Sequence, residues 1–298
     1  MTDASQLSPH AKIFTGNGGL KKVVIEHPHA VGELYLHGAH ITHWQPRGHD
    51  PVLYMSPNAV FAEDKAIRGG IPICLPWFGP KPGDAEAPAH GIVRTKEWTP
   101  VAAAEDPHGA TVRLRLDVPA NATPHWQAPF AAELAVSFGH SLSVVLKVTN
   151  TGNTPLKFEE ALHTYYRVED ASEVTVSGLH NTDYLDKPTG GQRLPQKDVA
   201  IHFGSEVDRV YLNTDHPCAI HDPSMGRTIT VEKQNSRSTV VWNPAEKRAG
   251  ELKDLGAANW PSFVCVETAN VGDYAVTLAP GESHEMHLLV RVDGLVIG

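Results

Sequence analysis

Cysteine is scarce in this chain of 298 residues: there are three, Cys74, Cys218 and Cys265, with no Cys-x-x-Cys pair. An odd number without that spacing argues against a disulfide framework or a structural zinc, and it fits a reducing compartment. Long apolar runs are also missing. None approaches the ~20 residues of a membrane span, and Met1 to Gly19 is polar, broken by Pro9 and glycines, without the apolar core of a secretory leader. The expectation is a cytoplasmic protein with no membrane partner. Positive charge is in deficit, the net charge being -9, which argues against nucleic acid, since a phosphate backbone is bound through a basic surface. A His-Glu-x-x-His helix, a P-loop, a Gly-x-Gly-x-x-Gly turn after a strand and a Gly-x-Ser-x-Gly elbow are all absent, so metalloprotease, P-loop, dinucleotide and serine-hydrolase readings lack motif support.

What is present is the composition of an ordinary globule, 41% hydrophobic and 20% charged. Alternation of period two dominates. Val112, Leu114, Leu116 and Val118 alternate with Arg113, Arg115 and Asp117; Leu142, Val144, Leu146 and Val148 follow after a turn. Ile229 and Val231, then Met286, Leu288 and Val290, repeat the pattern near the end of the chain. Such segments, separated by Gly, Pro, Asn and Asp, predict antiparallel strands with one buried face. Twenty-three prolines and 25 glycines suit many short strands joined by tight loops. Helical signals are few: Ala245 to Leu255 after Asn243-Pro244, and a turn or two near Asn58 to Lys65. No repeat or linker divides the sequence. The expected fold is therefore all-β: one large antiparallel β-sandwich of more than a dozen strands over residues 1–298, with few short helices. Residues 1–19 are expected to be loose or peripheral.

Two blocks suggest a polar pocket. One is Arg68-Gly69-Gly70-Ile71-Pro72, running on to Pro76-Trp77-Phe78-Gly79-Pro80; the other is His90-Gly91-Ile92-Val93-Arg94. Each couples a fixed cation to residues that shape a loop. Arginine keeps its charge and offers a donor fork matched to carboxylate or phosphate. Glycine allows close backbone approach, and proline stiffens the loop. Either block alone reads as a turn; together they suit a planar or anionic small molecule.

Two strands carry candidate chemistry. Leu156 to Val168 is predicted as one strand, with Ala161, His163, Tyr165 and Arg167 on one face and Leu162, Thr164, Tyr166 and Val168 on the other. Among 18 histidines, any single one is first read as a surface or hydrogen-bonded core residue. In Phe263-Val264-Cys265-Val266-Glu267, Glu267 shares the face of Phe263 and Cys265. It is either a solvated strand end or a carboxylate in a partly dry site, where desolvation would raise its pKa and favour proton transfer near neutrality. His37, His40 and His43 lack ligand spacing, because Gly38 interrupts any helix and on a strand His40 points away from the other two. They belong to a predicted hairpin, Glu33 to Leu36 with Ile41 to Gln45. No metal is expected.

With these residues in hand, the chain resembles the aldose 1-epimerase (mutarotase) superfamily, and more closely its glucose-6-phosphate 1-epimerase branch. The likeness rests on Gly38-Ala39-His40, the two blocks above, Asn150-Thr151-Gly152, Ala161-Leu162-His163-Thr164-Tyr165, Asp208-Arg209-Val210-Tyr211, Val241-Trp242-Asn243-Pro244 and Val264-Cys265-Val266-Glu267, in the family's order. The resemblance implies the galactose mutarotase-like supersandwich and makes His163 and Glu267 the catalytic pair. It makes Arg68 and Arg94 the holders of a 6-phosphate and Asp208 a ligand of sugar hydroxyls. His90 is expected to contribute to the sugar site or its loop, and Trp77 to offer an apolar face to the sugar or to pack the loop.

The reaction so implied, exchange of α and β anomers, explains the pair. A base takes the proton of the C1 hydroxyl, an acid protonates the ring oxygen, and the roles reverse on closure. Unperturbed pKa values of ~4.3 for glutamate and ~6.5 for histidine suit the two tasks. No cofactor is consumed, and the expected partner is a small hexose 6-phosphate acted on by a monomer. Ala89 departs from the pattern, standing where branch members often carry glutamine, which bears on the choice of hexose. Two rivals remain at this point: an epimerase of unphosphorylated aldoses, and a catalytically silent sugar-phosphate-binding protein on the same fold.

Overall fold

The computed structural model describes residues 5–294. The predicted alternation becomes three large antiparallel sheets and a short pair, Leu156–Phe158 with Val276–Leu278. A five-stranded meander is built in chain order from Ser5–Ser8, Ala11–Thr15, Lys21–His27, Ala30–Tyr35 and His40–Pro46. Its last two strands are the predicted hairpin around Gly38-Ala39. Of residues 1–19, expected to be loose or peripheral, 1–4 lie outside the described residues; the rest are ordered and peripheral, with Ser5–Ser8 the edge strand, Ala11–Thr15 beside it and Asn17–Gly19 a 3-10 turn. A ladder onto Lys21–His27 and hydrogen bonds from Ser8 and His10 to Glu105 fix them.

The nine-stranded sheet runs Ala200–His202, Thr175–Ser177, Cys218–Asp222, Arg227–Gln234, Ser283–Gly294, Leu142–Asn150, Phe130–Gly139, Gly109–Val118 and Thr99–Asp106. The alternating segments named above form its centre, with Val144 opposite Leu288 and Val231 opposite Val290. The eight-stranded sheet carries the site. Its order is Gln192–Pro195, Asp183–Asp186, Val207–Leu212, Ser238–Asn243, Phe263–Asn270, Glu160–Leu162 and Ile73–Cys74, and Tyr165–Arg167 also pairs with Phe263–Asn270. One apolar core joins the three sheets: Ile25, Leu34 and Trp44 from the first, Val112, Val136 and Val144 from the second, Leu162, Tyr166 and Val266 from the third.

The predicted helix is shorter than expected. It spans Ala245–Glu251, its start fixed by the Asn243 side chain, which accepts from the Ala245 N–H at 2.9 Å and donates to the Phe263 carbonyl at 2.8 Å. Leu252 is extended, and Leu252 to Gly256 continue as turns. Among the described residues, no helix is long and apolar enough to cross a membrane.

Candidate active site

The floor of the site is a matter of strand register. Leu162 pairs with Thr268 and Tyr165 with Cys265, on one and the same antiparallel register. Continued across the gap, that register sets His163 opposite Glu267. The predicted single strand Leu156 to Val168 is in fact three, Leu156–Phe158, Glu160–Leu162 and Tyr165–Arg167, broken at Glu159 and at His163-Thr164. The breaks have local causes. The Glu159 N–H bonds the Pro76 carbonyl at 2.9 Å, while its carboxylate takes the N–H groups of Phe78 and Gly272. The His163 N–H turns away to the Pro72 carbonyl at 3.0 Å and that of Thr164 to Leu162 at 2.9 Å. The facial alternation survives: Leu162, Tyr166 and Val168 enter the main core, and His163 and Tyr165 line the cleft above.

His163 Nε2 lies 3.4 Å from Glu267 Oε1. Glu267 is 1% exposed and His163 8%, which places the carboxyl in a dry site and not at a solvated strand end. Neither carboxyl oxygen of Glu267 has a hydrogen-bond partner, nor has His163 Nδ1. Burial pushes the Glu267 carboxyl well above the ordinary range, Lys187 opposing and Asp208 reinforcing the effect. Burial pushes His163 well below its usual value, with His90, Arg68 and Arg94 adding to it. Both directions favour a protonated carboxyl beside a neutral imidazole. The His163 ring stacks on Tyr165 at 4.9 Å and 12° and meets Trp242 edge-on at 5.7 Å, which fixes its plane. Cys265 Sγ completes a buried trio, the ligating atoms of His163, Cys265 and Glu267 all lying within 4.8 Å of one another.

The loop bearing Arg68 needs its glycines. At Gly70 φ is +59°, and a Cβ there would stand 2.1 Å from the Ile41 carbonyl oxygen. His40 and His37, for which no metal role is expected, hydrogen-bond this loop, His40 Nε2 at 2.8 Å from the Gly69 carbonyl and His37 Nε2 at 2.7 Å from that of Lys65. Burial lowers the His40 pKa to about 3, so its ring is neutral and donates. Arg68 itself is committed: Nε and Nη2 each reach the Asp254 carboxylate at 3.1 Å, and Nη1 donates to the Tyr165 hydroxyl at 3.0 Å.

Arg94 sits in the 3-10 turn Val93–Thr95 and donates to the Ala89 carbonyl at 2.7 Å. Among the described residues it has no carboxylate partner within ion-pair distance. The turn before it depends on Gly91, φ +79°, where a Cβ would fall 1.9 Å from the Leu75 carbonyl oxygen. His90 Nδ1 accepts from the Gly79 N–H at 3.2 Å and lies 3.3 Å from Cys74 Sγ. That tautomer leaves the proton on Nε2, a fixed neutral donor. Asp208 pairs with Lys187 at 3.4 Å, and the Lys187 ammonium stands 4.7 Å above the Phe78 ring.

These side chains line one cleft of about 520 Å³. It gathers His163, Glu267, Arg68, Arg94, Asp208 and His90, with Ala89 at its wall. A more open depression of about 650 Å³, lined by Asn17, Glu33, Thr42 and His43 among others, contains none of them. Of the two places expected for Trp77, the structure shows the packing one. It is 4% exposed in the main core, its Nε1 bonds the Pro88 carbonyl at 2.9 Å, and it does not line the cleft. The indole N–H needed a partner once buried and found it in the loop it supports. The sequence reading also missed Lys187, Asp254 and Trp242. Trp242 pairs across the strands with Cys265, so its period-two neighbourhood to Glu267 carried a signal. Lys187 and Asp254 lie in turns, where no periodicity marks them.

The family model for aldose 1-epimerase matches residues 21–291. A protein of Cenchrus ciliaris whose name proposes a glucose-6-phosphate 1-epimerase is 38% identical over 285 residues, 92% of this chain and 85% of that one. A protein of Escherichia coli K12 with the same proposed name is 34% identical, over 84% of this chain and 83% of its own. Among solved structures, that of a proposed mutarotase from Salmonella typhimurium superposes with a TM-score of 0.90 at 29% identity, covering 97% of this chain and 96% of the other.

Proposed function

The chain belongs to the aldose 1-epimerase family, and we propose that it interconverts the α and β anomers of hexose 6-phosphates, chiefly glucose 6-phosphate. The observation that carries the reading is the buried His163–Glu267 pair at 3.4 Å, sharing a cleft with Arg68 and Arg94. The charges around the pair support an anionic substrate. Lys65, Arg68, Arg94, Lys187 and Arg248 outnumber Glu206, Asp208 and Asp254 along the walls, with Glu267 held neutral by burial. Four of these cations pair with carboxylates, Lys65 with Asp64, Arg68 with Asp254, Lys187 with Asp208 and Arg248 with Glu251, which among the described residues leaves Arg94 as the unpaired charge, in a chain of net charge -9. A phosphate dianion offsets it, and Arg94, free of a carboxylate, is the first fork it meets.

The same electrostatics suggest how the pair is set to work. Arg68 and Arg94 help to hold His163 unprotonated, so an anion that neutralises them raises its proton affinity. The proton then passes from the Glu267 carboxyl to His163 Nε2, giving a carboxylate base and an imidazolium acid. Glu267 takes the C1 hydroxyl proton, His163 protonates the ring oxygen, the C1–C2 bond rotates, and closure reverses both transfers. His90 Nε2–H and Asp208 orient hydroxyls, a donor and an acceptor respectively. The pair finishes with the proton it began with. The reading extends to a monomeric cytoplasmic enzyme folded as one domain; three free, buried cysteines fit the compartment, and the core common to the three sheets fits the single domain.

The decisive experiment is anomer exchange of glucose 6-phosphate by NMR, with and without protein, spontaneous exchange subtracted. Exchange of the phosphate well above that of free glucose is the expected result. Equal rates on both would favour an epimerase of unphosphorylated aldoses, and no acceleration of either would favour a silent sugar-phosphate binder.

A further inference from the structure

Three buried groups of different chemistry converge where His163 and Glu267 line the cleft: an imidazole, a carboxyl and, behind them, the thiol of Cys265. Cys265 has no part in the proton transfers described above. It is 0% exposed and lies two residues before Glu267 on the same strand, so both side chains project from one face. His163 reaches the same point from the opposing chain, 3.4 Å from Glu267. Both carboxyl oxygens of Glu267, 1% exposed, are without a hydrogen-bond partner.

We propose that His163, Cys265 and Glu267 form an inhibitory site for a thiophilic divalent cation of the zinc class, which binds in place of the proton the pair exchanges. The inference rests on the acid–base reading of that pair. The donor set is one nitrogen, one sulfur and one oxygen, the mixture that zinc accepts and that magnesium and calcium do not. Tetrahedral bonds of about 2.0–2.3 Å put ligand atoms roughly 3.3–3.8 Å apart. The nitrogen and oxygen are already at 3.4 Å, and all three atoms fall within 4.8 Å of one another, so modest side-chain rotation closes the set. Coordination breaks the S–H bond of Cys265 and takes Glu267 as carboxylate, and the protons they carried go to solvent. Occupied lone pairs on His163 and Glu267 can then neither give nor accept the proton of the sugar, so the bound ion stops exchange and does not assist it.

Cadmium titration tests the site without reference to catalysis, through the ultraviolet charge-transfer band of a cadmium–thiolate bond. The whole protein is expected to develop that band with saturation at one equivalent. Cys265→Ala is expected to lose it and Cys74→Ala to keep it. In the exchange assay, zinc chloride should slow the wild-type protein, EDTA should restore it, and Cys265→Ala should keep its basal rate while needing roughly tenfold more zinc for the same inhibition. Should Cys265→Ala unfold, a zinc-dependent rise in the melting temperature of Cys74→Ala but not of His163→Ala supports the same assignment. No band in the wild type, or band and inhibition unchanged in Cys265→Ala, overturns the proposal. A saturable band that Cys265→Ala abolishes, in a protein that accelerates no anomer exchange, supports the site and counts against the epimerase reading.

Discussion

Glutamine in place of Glu267 removes the base and leaves the cleft floor nearly unchanged in shape. The carboxyl oxygens make no hydrogen bond, so the amide breaks none. Exchange of glucose 6-phosphate should fall at least ~10²-fold, about 2.7 kcal/mol of barrier, the low end for a positioned acid or base. Stability should move the other way. The folded-state pKa of Glu267 is raised above its ordinary value, so the native protein holds a proton that the unfolded chain releases. Its contribution is whole below the ordinary carboxyl range and is lost as pH rises through the folded value, by up to about 1.4 kcal/mol per pH unit for one proton. Glutamine does not titrate and escapes that loss. The variant should therefore gain melting temperature on the wild type as pH rises from 4 to 8, while its exchange rate by NMR stays low throughout. A folded Glu267→Gln protein retaining most of the exchange rate would refute the role given to Glu267. A melting-temperature difference that stays flat with pH would refute the raised carboxyl.

His163→Ala should cost a similar ~10²-fold in exchange, and because burial lowers the His163 pKa, wild-type stability relative to this variant should fall as pH drops below about 6.5, as thermal melts will show. Arg94→Ala should weaken kcat/KM for glucose 6-phosphate by ~1.5–3 kcal/mol, roughly 10- to 150-fold, with free glucose nearly untouched; equal losses on both sugars would make Arg94 structural. Exhaustive EDTA treatment should leave the exchange rate intact, and loss restored by one specific divalent ion would make the reaction metal-dependent. Ala89→Gln should sharpen the kcat/KM ratios among glucose, galactose and mannose 6-phosphates by ~0.5–1.5 kcal/mol, the scale of one neutral hydrogen bond; unchanged ratios in a folded variant would make Ala89 a neutral wall residue.

Arg68 is a poorer probe than Arg94, and the reason shows what the sequence could and could not reveal. Its loop was legible, since glycines beside a fixed cation allow close backbone approach and proline stiffens the turn. Its partner Asp254 was not, because the contact closes a separation of 186 residues between two loops. Removing Arg68 would leave that carboxylate and the Tyr165 hydroxyl without their donor, mixing structure with binding. For His163 and Glu267 the residues alone left a structural reading open, and it was the resemblance that paired them. Period-two alternation fixed their faces, and face is what register preserves even where the chain lifts off the ladder at His163-Thr164. The lift itself follows from a carbonyl of Pro72, which no local pattern announces. Trp77 stayed two-sided because an aromatic beside prolines and glycines reads equally as a sugar platform and as loop packing. The Pro88 carbonyl that decides the matter becomes its neighbour only in the folded loop.

The place of Ser283–Gly294 between Arg227–Gln234 and Leu142–Asn150 has a consequence for how the chain is made. During synthesis both flanking strands emerge long before the one that joins them, each presenting an open row of backbone donors and acceptors to its surroundings. The middle of the largest sheet is thus the last part to close, at a cost in folding speed set by contacts so distant along the chain. Until residues 283–294 are free to pair, the sheet stays in two halves, the state most exposed to pairing with a neighbour.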